Sequence, residues 1–148
     1  MSGLVDTNIL LYAVNASSQC HEKAQSFLME IISGDAKFYL TESIVYEFMR
    51  VSTHARVLKK PLTAQQSLGF ITHLMESQRF TLLSATPRHF QILSLLLREN
   101  PRVSGNLLFD TRNVVFMREH GLRTIFTADG DYHRFHGIDV INPLGESF

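Results

Sequence analysis

Gly3-Leu4-Val5-Asp6-Thr7-Asn8 decides how this chain is read. Leu4-Val5 is a short apolar run that ends in a carboxylate. Ile9, Leu10, Tyr12 and Ala13 follow in an amphipathic run. A short, continuous apolar run reads as a buried strand, and a parallel strand needs a crossover, usually a helix, after it. Asp6 then stands at the carboxyl end of a strand. In open α/β sheets that is the edge where ligands bind.

The same alternation continues outward. The apolar spacing of Ala24, Phe27, Leu28 and Ile31 predicts a helix over 21–33, stopped by Gly34-Asp35. Lys37 to Leu40 reads as a strand, and Thr41 as the cap of a helix carrying Ile44, Val45, Phe48 and Val51. Arg56 to Pro61 is a basic loop. Thr63 and Gln66 have capping-box spacing and open a helix to about Glu76. Phe80 to Leu83 is a strand. Thr86-Pro87 supplies a cap and a first-turn proline for an apolar helix, Phe90 to Leu97. A helix from Asn106 to His120 ends at Gly121, a strand covers Thr124 to Thr127, and Ala128-Asp129-Gly130-Asp131 is a turn. Asp139-Val140-Ile141 is a last short strand. Strands alternating with helices predict a parallel α/β sheet with helices on its faces. No repeat or linker divides the chain, so residues 1–148 read as one domain.

Composition narrows the function. The chain has 148 residues, 45% of them apolar, which is enough for a real core. Fourteen basic and fourteen acidic side chains cancel, unlike the strong positive charge of a protein that coats nucleic acid. A single cysteine, Cys20, excludes an internal disulfide framework. No apolar run reaches membrane-spanning length and the N-terminus has no basic leader, so the expected location is the cytoplasm, with no membrane partner.

Four acids stand in unusual places. Asp6 and Asp129 each follow a strand at its carboxyl end. Glu47 lies among Ile44, Phe48 and Val51 on a helix, and Asp110 shares a stripe with Leu107, Val114 and Met117. A carboxylate on an apolar face is costly unless it is paired or binds a metal. Each acid also has a purely structural use. Asp6 can cap a helix, Glu47 can pair with Arg50, Asp110 can pair with Arg112, and Asp129 can shape a turn. Four such acids from separated parts of one domain point to a shared cation. Hard oxygen ligands suit Mg²⁺ or Mn²⁺, and metal-assisted phosphoryl transfer is the chemistry that needs them. Zinc is disfavoured: His133 and His136 are three apart, but no cysteine completes a ligand pattern.

At these residues the chain resembles the PIN-domain family, and within it the VapC-like toxin ribonucleases of type II toxin–antitoxin pairs. Leu4-Val5-Asp6-Thr7-Asn8 is similar to the family's opening motif, and Tyr46-Glu47-Phe48-Met49-Arg50 to its second. Asp110 with Arg118-Glu119-His120-Gly121 is similar to the third, and Thr127-Ala128-Asp129-Gly130-Asp131-Tyr132 to the fourth. The resemblance keeps order and spacing nearly end to end. It implies a PIN-like three-layer α/β/α sandwich with a central, mainly parallel β-sheet. It implies that Asp6, Glu47, Asp110 and Asp129 are catalytic and surround Mg²⁺ or Mn²⁺, with Asp6 and Asp110 the first choice as direct ligands. Asp131, Thr7, Asn8 and Thr127 become accessory candidates, because ligand carboxylates need orienting hydrogen bonds. The implied reaction is endonucleolytic hydrolysis of RNA by a metal-activated water. The implied partners are an RNA substrate, a cognate antitoxin and a second copy of the chain in a homodimer.

Arg50, His54, Arg56, Lys59, Lys60 and Arg134 flank the motifs and are candidates for RNA binding. Leu10, Leu11 and Phe27 are candidates for a groove that takes an antitoxin helix. Arg112 points roughly 200° round the helix from Asp110 and is expected away from the metal. Tyr132 stands where the family commonly has Phe, an exchange expected to be conservative. Two other functions stay open. A PIN domain that binds RNA or protein without cutting would be expected to lack an acid, and none is lacking. A metal-dependent phosphatase would want an aspartate at position 8, which is Asn8.

Overall fold

The computed structural model describes residues 1–145. The expected domain runs to residue 148, and its last three residues lie outside the described ones. The chain runs β1 (Leu4–Val5), α1 (Thr7–Val14), α2 (His21–Ser33), β2 (Phe38–Thr41), α3 (Glu42–Ser52), α4 (Ala64–Glu76) and β3 (Phe80–Leu83). It continues with α5 (His89–Glu99), α6 (Leu107–Glu119), β4 (Thr124–Phe126), a 3-10 turn (Gly130–Arg134) and β5 (Asp139–Ile141).

The five strands form one sheet in the order β3-β2-β1-β4-β5, and every pairing is parallel. From β1 the chain builds outward through β2 and β3, then crosses to the other side for β4 and β5. The crossing leaves a switch point between the carboxyl ends of β1 and β4, where a crevice opens in such sheets. Asp6 follows β1 at that point, and its backbone N–H donates to Phe126 O at 3.0 Å, which continues the ladder for one more residue. The architecture is the α/β/α sandwich expected from the sequence.

The core explains why these segments hold. Leu4, Val5, Leu40, Ile125 and Phe126 are fully buried in the central strands. Phe27 of α2 packs on Phe38 and Phe126 with ring centroids 6.1 and 5.2 Å away. Truncating such a ring to alanine costs about 3–5 kcal/mol. Gly3 has no substitute: a Cβ there would sit 2.4 Å from Thr124 O across the β1–β4 pairing. Val114, Val115, Phe116 and Met117 are consecutive and all buried, so α6 is enclosed on several sides.

Local signals mostly act as expected. Thr41 Oγ1 accepts from Ile44 N, Thr63 and Gln66 form the capping box, and Gly121 adopts φ +69° after α6. Two places differ. Regular helix in α5 begins at His89 and runs to Glu99, and Arg88 at its cap makes no side-chain cap bond. Thr86 Oγ1 accepts from Arg88 N and closes the turn that leads into α5, while the same hydroxyl donates to Glu119 Oε1. The segment after β4 is a 3-10 turn rather than a plain turn, with Asp129 accepting from Asp131 N at its start.

Candidate active site

Asp6 is at once a helix cap and the centre of a polar network. Its Oδ1 accepts from Thr7 N at 2.8 Å. Its Oδ2 accepts from Thr127 Oγ1 at 2.8 Å and from Asn8 Nδ2 at 3.2 Å. Asn8 Nδ2 also donates to Thr127 Oγ1 at 2.9 Å, and Asn8 Oδ1 accepts from Ala128 N at 3.1 Å. Thr127 Oγ1 in turn accepts from Asp129 N at 3.0 Å. Asn8 and Thr127 thus sew the end of β1 to the end of β4 and hold one Asp6 oxygen between them. Thr7 reaches the other way, and its hydroxyl donates to Glu47 Oε2 at 3.3 Å.

The predicted acids converge. Asp6 is buried; Glu47, Asp110 and Asp129 are half-buried; Asp131 is exposed. Asp110, Asp129 and Asp131 each offer a carboxylate oxygen, and these oxygens all lie within 4.8 Å of one another. The tightest trio therefore contains Asp131, an accessory candidate from the sequence, in place of Asp6. Asp6 joins it through Thr127.

Electrostatics marks the same place. Burial pushes the Asp6 carboxyl up, hydrogen bonds from Thr127 and Thr7 pull it back, and the charges of Glu47 and Asp129 push it up again, to about 6. Burial also raises Asp110, and repulsion from Asp129 and Asp6 carries it to about 7. Among the described residues no Lys, Arg or His forms an ion pair with Asp6, Glu47, Asp110 or Asp129. The pairings that would have made these acids structural, Glu47 with Arg50 and Asp110 with Arg112, do not form. At the exposed rim Arg134 Nη2 lies 3.6 Å from Asp131, but the inner carboxylates are left without such a partner, and oxygen ligands crowded in this way fit a hard divalent ion.

Two contributors escaped the sequence. Tyr132 is fully buried, and its hydroxyl shares a hydrogen bond with Asp110. Asn113 Nδ2 donates to that hydroxyl at 2.8 Å, which orients it to donate onward to the carboxylate. Burial, then the charges of Asp6 and Asp110, hold the Tyr132 phenol far above its ordinary range, so it remains a donor. The exchange of Phe for Tyr is thus not merely conservative: it adds a hydrogen bond to a site carboxylate. The signal was Asn113 itself, an amide set in the apolar run of α6.

The basic candidates divide. Arg50 lines a cleft of about 430 Å³ together with Glu47 and Arg112. Arg134 Nε donates to Asp131 O at 3.1 Å, beside the acids. His54 accepts from Arg56 N at 3.1 Å in an exposed turn, where Arg56, Lys59 and Lys60 are exposed as well. Arg112 stacks on Phe109 at 5.1 Å rather than meeting Asp110. Of the groove candidates on the first helices, Leu10 and Phe27 are buried in the core and Leu11 is half-buried, so core packing accounts for these apolar residues.

A family model described as "PIN domain" matches residues 3–138. The chain is 29% identical over 141 residues to "Ribonuclease VapC33" of Mycobacterium tuberculosis (strain ATCC 25618 / H37Rv), covering 95% of this chain and 97% of the relative. Among solved structures it is similar to VapBC2 from Rickettsia felis bound to a DNA fragment from its promoter, with TM-score 0.65, 14% identity, and 95% and 97% of the two chains covered. It is also similar to Mycobacterium tuberculosis VapC20, described as a Sarcin-Ricin loop cleaving toxin, with TM-score 0.63, 18% identity, and 88% and 92% covered.

Proposed function

The chain belongs to the PIN domain family, and from that membership we propose that it is an Mg²⁺- or Mn²⁺-dependent endoribonuclease, the toxin of a type II toxin–antitoxin pair. The single observation behind the reading is the cluster of oxygen ligands around Asp110, Asp129 and Asp131, joined through Thr127 to a buried Asp6. Asp6, Glu47, Asp110, Asp129 and Asp131 are the residues that would hold the metal. When bound, a divalent ion activates a water and offsets the charge that builds on the attacked phosphate. The chain's own groups prepare the ligands. Thr127 and Asn8 fix the orientation of Asp6, Thr7 fixes Glu47, and the Asn113–Tyr132 pair fixes Asp110. Asp6 and Asp110 give up the protons that crowding lets them keep. No side chain acts as a nucleophile.

Relatives named as ribonucleases, and a structural neighbour described as a Sarcin-Ricin loop cleaving toxin, support RNA as the substrate. Looped or single-stranded RNA suits an open site, because its phosphates and bases are accessible. A structural neighbour solved as a VapBC complex supports a protein antitoxin as partner. A homodimer completes the proposed assembly.

The test pairs chemistry with growth. Wild type and Asp6→Asn are induced in a bacterial host while RNA ends are mapped, and each purified protein is given a single-stranded RNA with MgCl₂ or with EDTA. The expected result is growth arrest and new, discrete RNA ends with wild type alone, abolished by EDTA. The purified variant should cut at least about 100-fold more slowly. Equal behaviour of the two proteins would overturn the reading.

A further inference from the structure

The cleft beside the acids is larger than the acid cluster needs. It holds about 430 Å³ and lies between α3 and the start of α6. Glu47 is on its wall and links it to the site. Arg50 and Arg112 line it, and so do two aromatic rings open to solvent, Tyr46 at 73% and Phe109 at 53% exposure. Arg112 is held rather than free: its guanidinium lies over the Phe109 ring at 5.1 Å. Its Nε is buried, yet has no hydrogen-bond partner among the described residues. A buried donor without an acceptor is costly, so a placed and unsatisfied guanidinium suits a ligand that brings the acceptor.

Guanidiniums recognise phosphate oxygens, and exposed aromatic rings stack on unpaired bases. Glu42 and Glu47 balance the two arginines, so the cleft is not a general sink for polyanions. It suits one phosphate and one base. Resting on the ribonuclease reading above, we propose that this cleft is a nucleotide subsite beside the scissile phosphate, in which Arg112 binds the phosphate of a neighbouring nucleotide and Tyr46 stacks on its base. The strand is thereby seated with an unpaired nucleotide next to the acids, and duplex RNA, whose bases are already stacked, is excluded.

The test uses the full chain carrying Asp6→Asn, so that binding is read without cleavage. The probe is a fluorescein-labelled, single-stranded RNA dodecamer of mixed sequence, followed by anisotropy over a range of salt. Adding Arg112→Gln should weaken binding about tenfold and reduce the log–log salt slope by about 0.7. Adding Tyr46→Ala should weaken it about tenfold while leaving an abasic oligomer of the same length bound as before. Tyr46 is exposed, so that variant keeps the fold if Arg112→Gln does not. Arg98→Gln, far along α5, should change neither. Binding within twofold of the parent for both Tyr46→Ala and a folded Arg112→Gln overturns the subsite and leaves the ribonuclease reading standing. Variants that hold RNA but lose a partner protein overturn the subsite as well. An RNA that the parent never binds and wild type never cuts overturns both.

Discussion

The two ends of α6 carry acids with opposite fates. Asp110 lies in its first turn and Glu119 is its last residue. Glu119 has a buried side chain, and the protein answers every demand that burial makes. Its Oε1 accepts from Thr86 N and Thr86 Oγ1, both at 2.8 Å, and its Oε2 meets His89 Nδ1 at 2.9 Å. Burial alone would raise its carboxyl, but the bonds from His89 and Thr86 outweigh that and hold it below the ordinary range. Asp110 sits at the favourable end of the helix dipole, worth about 0.3–1 kcal/mol, and still rises to about 7. Its charged neighbours are other carboxylates, and among the described residues no basic side chain pairs with it. An acid that serves the fold is satisfied from within. An acid of the proposed metal site is left without that internal satisfaction.

Exchanging the charge at each end of α6 is the strongest way to break that contrast. Asp110→Asn should leave the fold intact by circular dichroism and reduce RNA cleavage by at least about 100-fold. Glu119→Gln should cut within about threefold of wild type at a temperature where both are folded, as expected of a site far from the reaction. A Glu119 variant as inactive as the Asp110 variant would erase the distinction.

The acids should also differ in how their protons relate to stability. Asp6 and Asp110 are raised from 3.8 to about 6 and about 7 in the folded chain. Both bind protons more tightly folded than unfolded. The stability of the metal-free protein should therefore fall as pH rises from about 4 to about 7, and be level above that. Glu119 is lowered, so its contribution is present above its unfolded value and is lost as pH falls through the folded one. A cation must displace the protons on Asp6 and Asp110. At pH 8 saturating MgCl₂ should raise Tm by about 8 °C, the effect of roughly 100 times the Kd. At pH 5 the rise should be a small fraction of that. Thermal scans at the two pH values check it, and equal rises at both would mean that these carboxylates do not take the metal.

At the structural end, Glu119→Gln should cost about 2 kcal/mol, a fall in Tm of about 6 °C. Denaturant unfolding measures it directly. A loss below about 0.5 kcal/mol would show that the three bonds to Glu119 merely replace water.

The same contrast explains what could be read in the sequence. Asp6 was legible because its apolar run stops at a carboxylate and a helix starts at once, so one short stretch fixes strand, edge and acid together. Glu47 and Asp110 were legible because helical spacing puts them beside buried residues. Glu119 was not: its partners Thr86 and His89 lie 33 and 30 residues away, and an acid ending a helix looks solvated. The Asn113–Tyr132–Asp110 relay was hidden for the same reason, since hydrogen bonds between distant side chains leave no periodicity. Thr86-Pro87 marked the entry to α5, where Thr86 Oγ1 accepts from Arg88 N, but not the second bond of that hydroxyl, which it donates to Glu119. Leu10 and Phe27 pack in the core; apolar spacing reports that a face is covered, not what covers it. Asp131 seemed accessory from its turn position, and only the 3-10 geometry brings its oxygen beside Asp110 and Asp129.

The smallest expected effect separates pairing from burial. Glu99 is fully paired too: Arg118 Nη1 and Nη2 donate to its two oxygens at 2.8 and 3.0 Å. Hydrogen bonds from Arg118 hold its carboxyl below the ordinary range. It differs from Glu119 in exposure, with 38% of its side chain open to solvent against none for Glu119. Water therefore competes for both partners, and such a pair contributes about 0.5 kcal/mol. Glu99→Gln should lower Tm by only about 1–2 °C, and less in high salt, where exposed pairs are screened. If it instead cost as much as Glu119→Gln, pairing alone would decide how an acid serves this fold. If it costs little, burial sets what a satisfied acid contributes. Burial without a compensating charge, as at Asp6, is then the feature on which the proposed metal site rests.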